Sequence, residues 1–160
     1  MNVKIRRFIA GLEIAGGFAG LYLTSTLTMA EGLNLRQRLV VSAIGIPFAL
    51  CAYAGRALWR DEVRGYWLSI LVQALQVPAW SSPTALYTFY CGLKLGVWIG
   101  PGGFAPIAGV GSNLSLSWAS RPYQEAIGIN VLALLLLVQL WLGCLDLRTS
   151  PPPTSVEAPA

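Results

Sequence analysis

Residues 66–99 read YWLSILVQALQVPAWSSPTALYTFYCGLKLGVWI, and within them one hydrophobic period stops and another starts. Before the prolines, Tyr66, Ser69, Gln73, Gln76 and Trp80 recur at helical spacing, a polar and aromatic stripe on an otherwise apolar segment. After Pro83 the pattern is strict alternation. Tyr87, Phe89, Cys91, Leu93, Leu95, Val97 and Ile99 point one way; Thr88, Tyr90, Gly92, Lys94, Gly96 and Trp98 point the other. Spacing of three and four marks a helix, and spacing of two marks a strand with one covered face. The glycines and the Gly100-Pro-Gly-Gly103 turn favour strands over the rival reading, a fifth membrane helix carrying Lys94 into the bilayer.

Composition sets the solvent. The chain has 160 residues, 55% hydrophobic and 11% charged, with a mean hydropathy of +0.60. Soluble domains carry roughly 25% charged residues. The deficit is concentrated in apolar runs near the ~20-residue length that spans a bilayer, so an integral membrane protein is expected. The formal charge of +4 is modest, and no basic cluster interleaved with aromatics points to nucleic acid.

Working outward, the sequence predicts a mainly α membrane protein. Its core is a four-transmembrane-helix bundle, with spans at residues 8–29, 39–58, 65–81 and 123–145. A small antiparallel β meander at 84–119 lies between helices 3 and 4 on the extracytoplasmic side. In it, Phe104 to Val110 reads as a strand broken at Pro106, and Gly111-Ser112 as a further turn. The apolar face of the meander is expected on the helix ends or the membrane interface. Residues 1–148 form one membrane domain, and 149–160, rich in proline, read as a disordered tail. A basic start followed by an apolar run also fits a signal peptide, but Glu13 interrupts the run early and its length is that of a retained span. Pro47 is expected to kink the second span. Glu125 is expected in the first turn of the last one, where a helix N-terminus favours an anion.

Lys4, Arg6, Arg7, Arg56, Arg60, Arg64 and Arg148 then fall on one side of the membrane, and Arg36, Arg38, Lys94 and Arg121 on the other. The positive-inside rule puts both termini in the cytoplasm, as in a multi-pass protein of a bacterial inner membrane. Trp59, Tyr66, Trp67 and Trp141 would mark the inner interface, and Trp80, Trp118 and Tyr123 the outer one.

The candidate sites follow from what lipid cannot satisfy. Glu13, Tyr66, Ser69, Gln73, Gln76 and Asn130, polar groups assigned to spans, compose a candidate intramembrane pocket. Interhelical hydrogen bonding for the polar stripe of the third span, and an interface or ion-paired carboxylate for Glu13, are the simpler readings. Gly16 and Gly20 form a Gly-x-x-x-Gly face that admits a close helix neighbour. Arg56, Arg60 and Arg64 recur every four residues as a stripe for anionic lipid headgroups, with Asp61 placed to pair with Arg64. The chain contains no histidine, and Cys51, Cys91 and Cys144 are far apart. No cofactor, metal site, disulfide or catalytic constellation is expected. A non-enzymatic accessory or scaffold protein is the leading expectation. Its partners would be membrane lipids and a second copy or another membrane protein. Binding or transport of a small molecule, lipid or proton, as a dimer, is the alternative.

Overall fold

The computed structural model describes residues 1–117 and 125–149. The chain begins with two long antiparallel helices, α1 (Val3–Thr28) and α2 (Leu35–Trp59). Both start earlier than the apolar runs because asparagines cap them. Asn2 accepts from the Lys4 N–H, and Asn34 forms a reciprocal capping box with Gln37. Helix α2 continues through Pro47. Glycine sets how closely the pair approaches: a Cβ on Gly17 would lie 2.6 Å from the Ala52 nitrogen, and one on Gly55 2.7 Å from the Ala10 carbonyl oxygen.

The four-span bundle is not what the chain forms. Among the described residues, only α1 and α2 are long and apolar enough to cross a membrane. Helix α3 (Val63–Gln76) has 14 residues, roughly 21 Å, because Pro78 cannot continue the ladder and the chain turns directly into strand β1 (Pro78–Ser81). The expected span at 65–81 is therefore part helix and part strand. The expected span at 123–145 is also divided. Ala126–Asn130 is strand β4, and helix α4 (Val131–Thr149) begins only after it. The alternation of Ile127 and Ile129 with Gly128 and Asn130 is the strand signal that the long apolar run conceals. Glu125 precedes this strand and lies in no helical turn. Trp118, Arg121, Pro122 and Tyr123 lie outside the described residues, as does the expected tail of 149–160 except Thr149, which ends α4 rather than starting a disordered tail.

Between α3 and α4 the chain builds an antiparallel sheet. Strands β2 (Leu86–Gly100) and β3 (Gly103–Ser117) pair along their whole length. Pro106 does not break β3, because an edge strand tolerates a missing N–H on its outer side. Nor is Gly111-Ser112 a turn. It lies within β3, and Gly111 faces Gly92 across the ladder.

Those two glycines form an elbow. β1 is antiparallel both to the start of β2 and to β4, while β4 is antiparallel to the end of β2. These pairings coexist only if β2 changes heading sharply between Tyr87 and Gly96. Gly92 (φ +96°) and Gly111 (φ +127°) occupy backbone regions that a side chain disfavours, and the ribbon bends there. The buried face switches with it. Before the bend the odd residues Phe89 and Cys91 are buried; beyond it Lys94 is buried while Leu95 and Ile99 are exposed.

The elbow rests on the middle of α1, not on helix ends. A Cβ on Gly16 would lie 2.3 Å from the Gly92 nitrogen, and the Ser112 hydroxyl donates to the Gly16 carbonyl. One core cluster gathers Phe48, Cys51, Ala54, Val72, Phe89 and Cys91 beneath the elbow. A second joins Ile9, Ala10, Leu58, Tyr66, Leu136, Leu140 and Cys144 near the opposite end of the helices.

Candidate functional site

The polar stripe of α3 meets Glu13 of α1. Ser69 Oγ donates to Glu13 Oε2 at 2.6 Å, and Gln73 Nε2 donates to Oε1 at 3.0 Å. All three side chains are buried. Spacing of four on α3 brings both donors to one face, where they meet Glu13. Each carboxyl oxygen thus has a protein donor, which a buried acid requires.

One turn further on, Gln76 Oε1 accepts the Cys91 N–H at 2.8 Å, tying α3 to the elbow. Its Nε2 is buried with no hydrogen-bond partner. Asn130 closes β4 and caps α4: its Oδ1 accepts from the Leu95 and Ala133 N–H groups, each at 3.3 Å, and its own N–H donates to the Val77 carbonyl at 2.9 Å. Its Nδ2 also lacks a partner. Tyr66 is buried elsewhere, its hydroxyl donating to Asp61 at 3.1 Å. Of the six polar candidates, then, Glu13, Ser69 and Gln73 touch one another, and Gln76 follows on the same helix. Tyr66 and Asn130 make other contacts. Cavities of about 350, 370 and 480 Å³ elsewhere in the described residues are lined by other residues.

Gly16 and Gly20 are taken up within the chain. Gly16 receives the elbow, and the Phe48 ring covers Gly20, where a Cβ would lie 2.2 Å from it.

The arginine stripe divides. Asp61, with φ +62°, follows the end of α2 and pairs with Arg6, not with Arg64 as the spacing suggested. Arg64 pairs with Glu62, and the guanidinium holds that partly buried carboxyl below the usual range. It also stands 5.7 Å from the Tyr53 ring centre. Arg56 and Arg60 line a groove with Gly11, Ile14, Ala15 and Trp59.

One arrangement escaped the sequence reading. Lys94 is 7% exposed, its Nζ 3.3 Å from Thr88 Oγ1 and 5.3 and 5.7 Å from the ring centres of Tyr90 and Trp98. The signal was present, since Tyr90, Lys94 and Trp98 recur every four residues on one strand face. Cation–π contact compensates part of the ammonium's lost hydration. Tyr90 and Trp98 are thereby turned onto the lysine. Tyr87 stacks on Trp80 with ring centres 4.6 Å apart.

No protein-family model, curated protein or solved structure matches the chain.

Proposed function

We propose that this is a membrane-embedded accessory protein that acts by contact rather than by catalysis. In this reading the α1–α2 hairpin crosses the bilayer with its arginine-rich end in the cytoplasm, and the outer edge of β3 receives a second copy or another membrane protein. The observation that carries it is the outward face of the hairpin. Phe18 is 63% exposed, Tyr22 70%, Leu39 63% and Ile46 68%. Water tolerates few contiguous apolar surfaces of this kind, whereas lipid requires them. Glu13, meanwhile, is turned inward and fully bonded. Helix α1 supplies both that carboxyl and the seat of the elbow, which favours its retention over cleavage as a signal peptide.

Labelling tests the topology. The three native thiols are buried, so Glu31→Cys and Lys4→Cys can be compared directly on intact cells with a membrane-impermeant maleimide. Position 31 is expected to label and position 4 to remain protected, with the protein resisting alkaline carbonate extraction. Release by carbonate would end the membrane reading.

The contact surface is β3. It contains no charged residue and, among the described residues, has a strand partner on one side only, a free edge of the kind that pairs with another chain. Val110, 86% exposed, is the natural probe. Val110→Lys is expected to abolish cross-linked or co-purified assemblies while leaving the thermal midpoint unchanged. Assemblies that survive it would count against this surface.

A second reading, small-molecule or proton binding within the membrane, is favoured by the unpartnered amide groups of Gln76 and Asn130, each a donor available to a bound polar group.

A further inference from the structure

We propose that the groove between the arginine-rich ends of α1 and α2 is a binding site for one anionic phospholipid. An acyl chain would lie along α1, and the headgroup phosphate would be held by Arg56 and Arg60. This proposal rests on the membrane reading above.

The groove has a volume of about 370 Å³ and is lined by Gly11, Ile14, Ala15, Arg56, Trp59 and Arg60, the low end of ligand-pocket sizes. Its shape comes from two glycines. Gly55 brings α2 against the Ala10 carbonyl and the Glu13 side chain, closing the floor. Gly11, one turn toward the N-terminus from Ala15, has no heavy atom within 4 Å of where a Cβ would stand, so the slot beside it is open. Gly11, Ile14 and Ala15 share one face of α1, at spacings of three and four, and present no polar side chain.

The mouth of the groove is cationic. Arg56 and Arg60 are one turn apart on α2, with Trp59 between them. Of the nearby acids, Asp61 pairs with Arg6 and Glu62 with Arg64, while Glu62 also lies within electrostatic reach of Arg60 and Arg56. Arg56 and Arg60 have no ion-pair partner among the described residues. The Arg7 guanidinium stands 5.7 Å from the Trp59 ring centre, adding a third cation beside the half-exposed indole. Tryptophan and arginine at this depth are the side chains expected where acyl chains give way to phosphates. An arginine pair suits a phosphate diester because each guanidinium offers a planar set of donors.

The other end of the hairpin provides the contrast. A groove of about 350 Å³ lies there between the same helices, lined by Leu21, Thr24, Ser25, Ser42 and Ile46 among others, and no charged residue borders it. Equal volume without cations gives no reason for headgroup selection.

The test uses the full chain reconstituted in phosphatidylcholine vesicles containing a minor share of brominated phosphatidylglycerol or, separately, brominated phosphatidylcholine. Bromine quenches nearby indole fluorescence, and the Trp59 component is the difference between wild type and Trp59→Phe. The brominated phosphatidylglycerol is expected to quench that component with an apparent affinity roughly tenfold above that of brominated phosphatidylcholine, because each basic residue at the surface attracts anionic lipid. Arg56→Gln/Arg60→Gln should bring the ratio to one. Gly11→Leu, which fills open space on a helix, should weaken quenching by both lipids. Added glycerol 3-phosphate should not relieve the quenching; full relief would show a site for free phosphate and overturn the lipid assignment. A ratio of one in the wild type, or one that the double variant leaves unchanged, overturns the groove while carbonate-resistant protein keeps the membrane reading standing. Carbonate-extractable protein would overturn both.

Discussion

Gly16→Ala is expected to detach the sheet from α1. The added Cβ would lie 2.3 Å from the Gly92 nitrogen and 2.5 Å from the Cys91 carbonyl carbon. These are backbone atoms, which cannot swing aside as a side-chain tip can, so either the helix or the elbow must move. Overpacking typically costs 1–3 kcal/mol and more where nothing yields, so a loss of about 3 kcal/mol or above is expected. That is a large share of the 5–15 kcal/mol that holds a domain together. Two measurements check it. The thermal midpoint of the purified chain should fall steeply, and Cys91, buried in the native protein, should become reactive to a thiol reagent as mapped by mass spectrometry. Gly111→Ala is the graded comparison. Nothing lies within 4 Å of its Cβ position, so only the unfavourable φ opposes it, about 1–3 kcal/mol. A wild-type midpoint and a protected Cys91 in Gly16→Ala would refute the docking of the elbow on α1.

The second large effect is expected at Gln73. Gln73→Leu removes the donor to Glu13 Oε1 and leaves that oxygen buried beside an apolar side chain. An orphaned buried acceptor costs about 1–3 kcal/mol, and more when charged. Glu13→Leu/Gln73→Leu should recover part of this, since the acceptor and the Gln73 donor are removed together, while the buried Ser69 hydroxyl also loses its carboxylate partner. The expected signature is therefore a double variant more stable than Gln73→Leu alone. The coupling should be about 1.5–3 kcal/mol, within the range for directly bonded groups. Strict additivity of the two losses in thermal unfolding would show that Glu13 and Gln73 do not hold each other. The same variants address intramembrane binding. A thermal shift of the wild type on adding a metabolite or lipid mixture, abolished in Gln73→Leu, would move the balance to that second reading.

Much of the polar cluster was legible before any coordinates. Glu13 stood out as the costly residue in an apolar helix. The Ser69–Gln73–Gln76 stripe stood out because spacing alone puts such residues on one face. Their meeting satisfies polar groups that an apolar interior cannot. Tyr66 and Asn130 shared the polarity but not the place, because polarity states a need and does not name the partner that meets it. Gly16 and Gly20 were legible as a close-contact face, whereas the strand and the phenyl ring that fill it were not.

The sequence by itself determined the period of each segment, helical before Pro78 and alternating from Tyr87 to Ile99, since period follows from local backbone geometry. It also determined that the first two helices are long and apolar enough to span a bilayer. Only the tertiary structure decided that Ala126–Asn130 joins the sheet and so shortens α4, because a five-residue alternation becomes a strand only when β1 and β2 offer their edges. It alone decided which parity of the long strand is buried. One left-handed glycine at position 92 turns the ribbon without disturbing the alternation, and pattern carries no record of a bend that leaves the period intact.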